Sequence, residues 1–161
     1  MSKITFIIIA IVTVFSLSCH KSFDPGTTNA QKAASGWWVT TVPNGASAAG
    51  AKHIFINTYN TSEQNDSLWV DDVKHDVTRF RYKSKAKIDF NALTFTASNS
   101  TNLYTAANTV NITEGKILLK GGRSASGVTT DSLYFKIKFS NNDTTFIVSG
   151  VARTGYIEDD Y

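Results

Sequence analysis

Two segments of the chain alternate apolar and polar residues, and this period of two is the strongest constraint on the fold. In FRYKSKAKI (residues 80–88), one face carries Phe, Tyr, Ser, Ala and Ile, whereas the other carries an arginine and lysines. LYFKIKF (residues 133–139) alternates in the same way. Strands with one buried face and one solvated face are typical of antiparallel sheets. The chain is therefore predicted to be an antiparallel β protein whose basic strand face meets solvent.

Further short strands are predicted at regular intervals, between turns rich in asparagine, serine and glycine. The chain shows no convincing amphipathic helix, and aromatic residues, which favour strands, make up 12 % of it. Such a pattern indicates a sandwich or a barrel, and about eight strands suffice to close a barrel around side chains or one small ligand. We predict an all-β fold, an antiparallel barrel of about eight strands over residues 36–161. The predicted strands are 37–42, 53–59, 67–70, 80–88, 93–97, 110–113, 116–120, 133–139 and 145–151.

Residues 1–18 have the pattern of an export signal. Lys3 precedes an almost uninterrupted apolar run, Ile4 to Leu17, which is shorter than the roughly 20 residues of a membrane-spanning helix. The run ends in SLSC, which resembles the lipobox of bacterial lipoproteins, although its leucine lies one position closer to the cysteine than in the commonest pattern. Cys19 is the only cysteine, so we predict that it carries the lipid anchor. An ordinary signal peptide with a chance cysteine is the alternative.

Residues 19–35 are polar and small, which predicts a lipidated flexible tether, with a short helix over residues 28–35 as the alternative. The expected location is the bacterial outer membrane, on its periplasmic face or at the cell surface. The net charge is +3, and it falls to +2 without residues 1–18, because Lys3 is their only charged residue. A charge this small does not indicate a nucleic-acid partner.

The stretch NTYNTSEQNDSLWVDD (residues 57–72) is rich in acidic and amide side chains, which raises the question of a metal site. A calcium loop placed on it needs glycine at the sixth position and glutamate at the twelfth, where the chain has Asn65 and Asp71. Asp71 and Asp72 are adjacent, so in a strand they point to opposite faces. The histidines are far apart in sequence, and Cys19 is no zinc ligand of the mature domain. We therefore expect no metal and no other cofactor, and we interpret the stretch as a turn between two strands.

An esterase- or lipase-like hydrolase is one alternative function. It would use Ser124 or Ser126, in the glycine-rich segment GRSASG (residues 122–127), with His53 or His75 as the base. That segment is close to a G-x-S-x-G nucleophile elbow but does not match it. The catalytic residues therefore remain unassigned at this point.

The abundant aromatic residues fit two interpretations of the barrel. They can fill its core, or they can line an apolar cavity with tryptophan and tyrosine at its rim, as in pockets for lipid-like ligands. Trp38, Tyr59, Trp69 and Tyr82 are the candidates for such a rim. The sequence leaves both interpretations open, and a filled barrel would favour a second alternative function, a structural or accessory subunit of a surface complex.

Several motifs together resemble one known family. They are TYNT (residues 58–61), DSLWVDD (66–72), FRYKSKAKIDFNALTF (80–95), ITEGKI (112–117), DSLYF (131–135) and SGVARTGY (149–156). They look like the Bacteroidetes lipoproteins labelled "lipid-binding putative hydrolase", over nearly all of residues 36–161. The resemblance implies a lipocalin/calycin-like β-barrel behind a lipidated cysteine. The motif positions that match the family are Trp69, Asp71, Asp72, Arg153 and Tyr156.

The sequence therefore predicts a membrane-anchored lipoprotein that binds a lipid or another apolar small molecule in a calycin-like barrel. The candidate ligand-binding residues combine the aromatic rim with the positions matched by the resemblance. They are Trp38, Tyr59, Trp69, Asp71, Asp72, Tyr82, Arg153 and Tyr156.

Overall fold

The computed structural model describes residues 29–63, 65–73 and 81–161. Within these residues, a short 3-10 helix (Asn29–Lys32) precedes eight strands. Each strand pairs antiparallel with its neighbours in sequence, and the first pairs with the last, so that the sheet closes into a barrel. The predicted all-β barrel is confirmed. The strands are β1 (Ser35–Pro43), β2 (His53–Asn60), β3 (Ser67–Asp71), β4 (Lys83–Asp89), β5 (Thr94–Thr101), β6 (Thr109–Arg123), β7 (Thr129–Phe139) and β8 (Thr145–Ala152).

The predicted alternation decides which side chains enter the barrel. In β4, Ser84, Ala86 and Ile88 are buried, whereas the lysines between them lie on the outer face. In β7, the buried positions are Leu133, Phe135, Ile137 and Phe139, as the sequence predicts. The period of two therefore gives both strands their correct inward face, because neighbouring side chains in a strand point to opposite sides of the sheet.

The interior of the barrel is filled with side chains. Val39, Ile56, Leu68, Phe135 and Val148 have 0 % accessible surface. A cavity wide enough for an acyl chain would leave accessible surface on the side chains that line it. An eight-stranded barrel has an interior just wide enough for side chains to fill, and the structure favours that interpretation over an internal apolar cavity.

The barrel has two ends that differ in their connections. Because consecutive strands run in opposite directions, the start of β1, the β2–β3, β4–β5 and β6–β7 loops and the segment after β8 lie at one end. We call this the N-terminal end. The β1–β2, β3–β4, β5–β6 and β7–β8 loops lie at the opposite end.

No helix within residues 29–63, 65–73 and 81–161 has the length and apolar character needed to cross a bilayer.

Two predicted strands, 110–113 and 116–120, form one strand in the structure. The predicted turn between them, at Glu114 and Gly115, is wrong. It is a bulge at which the pairing of β6 with β7 shifts, and Glu114 has a left-handed φ of 55°. A β-bulge and a turn favour the same residues, because both place an extra residue outside the regular pairing. The bulge leaves no room for a side chain at Gly115, where a Cβ would collide with Phe95.

The folded domain begins before residue 36. Residues 29–32 form the 3-10 helix, and Ala33 is completely buried. The hydroxyl of Thr58 donates a hydrogen bond to the Ala33 carbonyl, which attaches this segment to β2. The last part of the predicted tether, residues 29–35, therefore packs on the barrel. The predicted signal peptide, Cys19 and the rest of the tether lie outside the described residues.

Candidate functional site

The predicted ligand-binding residues form three sets on the barrel. The first two adjoin through the neighbouring residues Asp71 and Asp72, but the structure does not bring all three sets together into one site. Each set has its own contacts, described below. The sets are Tyr59, Trp69 and Asp71 on the outer face of β2 and β3, Asp72 and Tyr82 at the opposite end, and Trp38, Arg153 and Tyr156 along the C-terminal segment.

The buried carboxylate of Asp71, the last residue of β3, is the centre of a partly buried polar cluster on the outer face. Its carboxylate accepts hydrogen bonds from the hydroxyls of Tyr59 at 2.5 Å and Tyr104 at 2.8 Å. The backbone amide of Val73 donates a third, at 2.9 Å, and the ammonium of Lys83 lies 3.6 Å away. The carboxylate is therefore fully engaged by protein groups, and it holds the β5–β6 loop against β3 through Tyr104.

Electrostatics in this cluster keep both tyrosines protonated. Burial and the hydrogen bond to Asp71 raise the pKa of Tyr59. The same two effects raise the pKa of Tyr104 further, and the hydrogen bond between Lys83 and Tyr59 raises the pKa of the lysine. Both phenols thus remain hydrogen-bond donors to Asp71 over the physiological range. The cluster is built to stabilise the fold.

Sequence reasoning missed Tyr104 and Lys83. Asn102, which is completely buried, holds the backbone of Tyr104 in place. Its amide oxygen accepts hydrogen bonds from the backbone amides of Lys83 and Tyr104, while its amide nitrogen donates to the carbonyl of Arg81. A single asparagine thus fixes the loop over β4, but its partners on the β4 side, Arg81 and Lys83, lie 21 and 19 residues away, so no local pattern reveals them.

Trp69 lies on the outer face, and its ring is covered by lysines. The ammonium groups of Lys83 and Lys85 lie 5.4 Å and 5.6 Å from its ring centroid, within the range of cation–π attraction. Lys85 also pairs with Glu63 at 3.2 Å. Trp69 therefore does not form the rim of an internal cavity.

Tyr82 and Asp72 lie at the opposite end of the barrel, where the backbone amide of Asp72 donates to the Tyr82 carbonyl. The Tyr82 ring is 2 % exposed and lies against Phe139, with 5.9 Å between centroids. Burial raises the pKa of Tyr82 well above its usual value, with a further contribution from the nearby carboxylates. Its hydroxyl has no hydrogen-bond partner in the part of the chain that the structure describes.

Trp38 and Arg153 hold the C-terminal segment on the outer face of β1. The Asp160 carboxylate accepts two hydrogen bonds from the Arg153 guanidinium, at 2.7 Å and 2.5 Å, and one from the Trp38 indole at 3.1 Å. The ring of Tyr161 stacks on His53, with 3.8 Å between centroids. Arg153 is engaged within the protein, whereas Tyr156 is exposed to solvent.

The serines of the hydrolase alternative lie at the N-terminal end, in the β6–β7 loop. The hydroxyls of Ser124 and Ser126 are 3.1 Å apart. His53 begins β2 at the opposite end of the barrel and stacks on Tyr161, so the structure does not pair it with either serine. His75 lies outside the described residues. The carboxylate beside the serines is Asp159, which accepts hydrogen bonds from the Ser126 amide and the Thr154 hydroxyl, both at 2.7 Å.

We expect the contact between the C-terminal segment and the β6–β7 loop to weaken in acid. Burial raises the pKa of Asp159, but hydrogen bonds from Thr154, Ser126 and Ser124 outweigh this effect and lower it from 3.8 to about 2. Because the folded pKa lies below the unfolded one, the contact contributes stability above about pH 4 and loses it as the pH falls towards 2. Hydrogen exchange of the Ser126 amide measures this loss.

The control for the acid experiment is the exposed neighbour Glu158. Asp159→Asn should remove the acid dependence of the Ser126 amide protection factor (the exchange rate of the unfolded chain relative to that of the folded protein at the same pH), whereas Glu158→Gln should leave it intact. An unchanged acid dependence in Asp159→Asn would contradict the assignment of this effect to Asp159.

The N-terminal end also carries an open cavity of about 540 Å³, between the start of β3, the end of β4 and the start of β5. Polar groups and apolar rings share its lining. Sequence reasoning missed this site. The lining residues are Asp66, Lys87, Ile88, Asp89, Phe90, Asn91, Thr94, Phe95 and Thr96.

The β4–β5 hairpin gives one wall of the cavity its shape. The Asp89 carboxylate accepts hydrogen bonds from the amides of Asn91 and Ala92, at 2.8 Å and 3.1 Å, and these bonds lower its pKa. Leu93 is buried with a left-handed φ of 52°. This tight turn presents Phe90, half-buried, beside the exposed Lys87.

Among the described residues, no three His, Cys, Asp or Glu side chains converge as a metal site would require.

Comparison with known proteins is informative at the level of the family. The curated proteins give no match to the chain. The family described as "Lipid-binding putative hydrolase" matches residues 22–157. The match covers the eight described strands, beginning 13 residues before β1 and ending five residues after β8. The chain belongs to this lipid-binding family.

Proposed function

We propose that the protein is an exported, lipid-anchored lipoprotein that binds a lipid or another apolar small molecule in the cavity beside the β4–β5 hairpin. The observation that carries this proposal is a cavity of about 540 Å³ with a mixed lining, on a chain that belongs to a lipid-binding family. The anchor is supported by the signal-like residues 1–18 and by Cys19 as the sole cysteine.

The cavity has the size and the chemistry that an amphipathic ligand requires. Its volume lies within the roughly 300–1,000 Å³ typical of small-molecule sites. Phe90 offers apolar surface to an alkyl chain, while the ammonium of Lys87 and the hydroxyls of Thr94 and Thr96 can meet a polar head group. The filled interior of the barrel supports a ligand site outside it.

We expect Phe90→Ala to weaken binding of a fluorescent fatty acid by about tenfold, because a half-buried phenylalanine contributes roughly 1.5 kcal/mol of apolar contact. The matched control is Phe55→Ala, which removes a half-buried ring packed against Trp38 on β2. The control should bind like the unmodified protein. Affinity is measured by fluorescence titration, with thermal unfolding of both variants to verify the fold. Equal binding by all three proteins would contradict the cavity assignment.

A structural or accessory subunit of a surface complex is the second candidate function, and the filled interior favours it. The same fluorescence titration distinguishes the two candidate functions. A lipid-binding protein saturates with the fluorescent fatty acid at one site per chain, whereas a scaffold gives no saturable signal.

A further inference from the structure

Five exposed apolar side chains lie at the N-terminal end of the barrel, on the β6–β7 hairpin and on the segment that follows β8. They come from the final part of β6, the β6–β7 loop and the C-terminal segment, and we call them the apolar rim. The rim consists of Leu118, Leu119, Val128, Tyr156 and Ile157, which are 51 %, 53 %, 42 %, 56 % and 88 % exposed.

A bulge in β6 creates the first part of the rim. Regular alternation would turn Leu119 into the barrel, because Ile117 two residues earlier is buried. Instead, the pairing of β6 with β7 shifts between Leu118 and Gly122, and Lys120 has a left-handed φ of 56°. Both leucines are therefore exposed. Exposing two consecutive leucines is costly in a protein that meets only water.

Hydrogen bonds hold the second part of the rim in place. Asp159 joins the C-terminal segment to the Ser126 amide in the β6–β7 loop, and Asp160 binds the Arg153 guanidinium. Tyr156 and Ile157 lie just before Asp159, so the segment that carries them is attached to the loop that carries Val128. These three residues are therefore held at the same end of the barrel.

The described chain also starts at this end. The 3-10 helix begins at Asn29, ten residues after Cys19, so a lipid on Cys19 lies at most about 35 Å from the start of the fold. If that lipid is in a bilayer, the N-terminal end is the end of the barrel that is tethered to the membrane. This step rests on the proposed anchor at Cys19.

We propose that the apolar rim docks on the bilayer in which Cys19 is anchored. Side chains of this kind bind membranes by burying apolar area at the boundary between head groups and acyl chains. Nearby charges nearly cancel, since three basic residues (Lys120, Arg123 and Arg153) stand against four acidic ones (Asp131, Glu158, Asp159 and Asp160). The docking is therefore driven by apolar contact and does not require anionic lipid. It places the β4–β5 cavity, at the same end, next to the lipid surface.

The test uses the full acylated protein in phosphatidylcholine vesicles. Cys19 is the only cysteine and is blocked by its lipid, so a new cysteine gives a unique attachment point for an environment-sensitive dye. Ile157→Cys places the dye on the rim, and Ala48→Cys places it on the exposed β1–β2 loop at the opposite end. We expect a blue-shifted dye at residue 157 that lipid-borne quenchers quench several-fold more than the dye at residue 48. Raising the salt concentration should leave this difference unchanged.

The outcomes separate the docking from the anchor. Vesicle flotation and the mass of the mature protein test the anchor at Cys19. A floating, acylated protein whose two dyes are quenched equally would overturn the docking and leave the proposed function intact. A blue shift at residue 157 without quenching would also overturn it, because the rim would then bind protein. A protein that is neither acylated nor vesicle-bound would overturn the anchor and the docking together.

Discussion

Replacing Asp71 by alanine is expected to lower the free energy of unfolding by about 2 kcal/mol, because this buried carboxylate is the shared acceptor of several part-buried donors. The hydroxyls of Tyr59 and Tyr104 and the amide of Val73 all donate to this carboxylate. Lys83 would also lose its nearest counter-charge, 3.6 Å away. The loss should separate the β5–β6 loop from β3 as well as weaken the barrel.

Urea unfolding followed by tryptophan fluorescence measures this effect. Asp143→Ala is the control, since Asp143 is fully exposed and pairs with Lys138 at 3.6 Å. An exposed ion pair of this kind contributes at most about 1 kcal/mol. Tyr104→Phe combined with Asp71→Ala should show strong non-additivity, because the two residues share one hydrogen bond. A loss below about 1 kcal/mol in Asp71→Ala would contradict the account of the cluster.

Replacing Gly150 by alanine is expected to destabilise the barrel by about 3 kcal/mol, the upper range for overpacking in a tight core. Gly150 lies in β8 opposite Val39 of β1. A Cβ at this position would lie 2.6 Å from the Val39 Cα and even closer to the Trp38 carbonyl oxygen. Both contacts are with backbone, which cannot move aside as a side chain can. The seam that closes the barrel between β1 and β8 should therefore open.

The control for Gly150→Ala is the preceding residue, Ser149, in the same strand. Ser149→Ala removes one hydroxyl without adding volume, and such a surface change usually stays within about 0.5 kcal/mol. Thermal and urea unfolding of both variants give the comparison. An alanine at residue 150 that unfolds like the unmodified protein would show that the β1–β8 seam is looser than the structure indicates.

The fold was predictable because its main signal is local. The alternation in residues 133–139 gives the inward face of β7 directly, and the same holds for β4. Strand ends were harder to predict. The composition of residues 98–102 predicts a turn, yet β5 continues to Thr101. It does so through bulges, and Asn99 has a left-handed φ of 45°. Pairing with a neighbouring strand overrides the local preference there, and pairing is not a local property.

The candidate site was less predictable for the same reason. Asp71 was singled out by its motif, but its partner Tyr104 lies 33 residues further along the chain. The cavity depends on how the β4–β5 hairpin meets the start of β3, which brings Asp66 beside Lys87 and Phe90. Contacts of this kind arise from strand register and loop closure. A sequence pattern shows which side chains face outward but not which of them meet.

The most direct test of the account is the position of a bound lipid. A crystal structure of the protein with a brominated fatty acid locates the alkyl chain by the anomalous signal of bromine. We expect bromine in the cavity, next to Phe90 at the N-terminal end of the barrel. Bromine inside the barrel, against Phe135, would contradict this assignment, because the Phe135 side chain has no accessible surface.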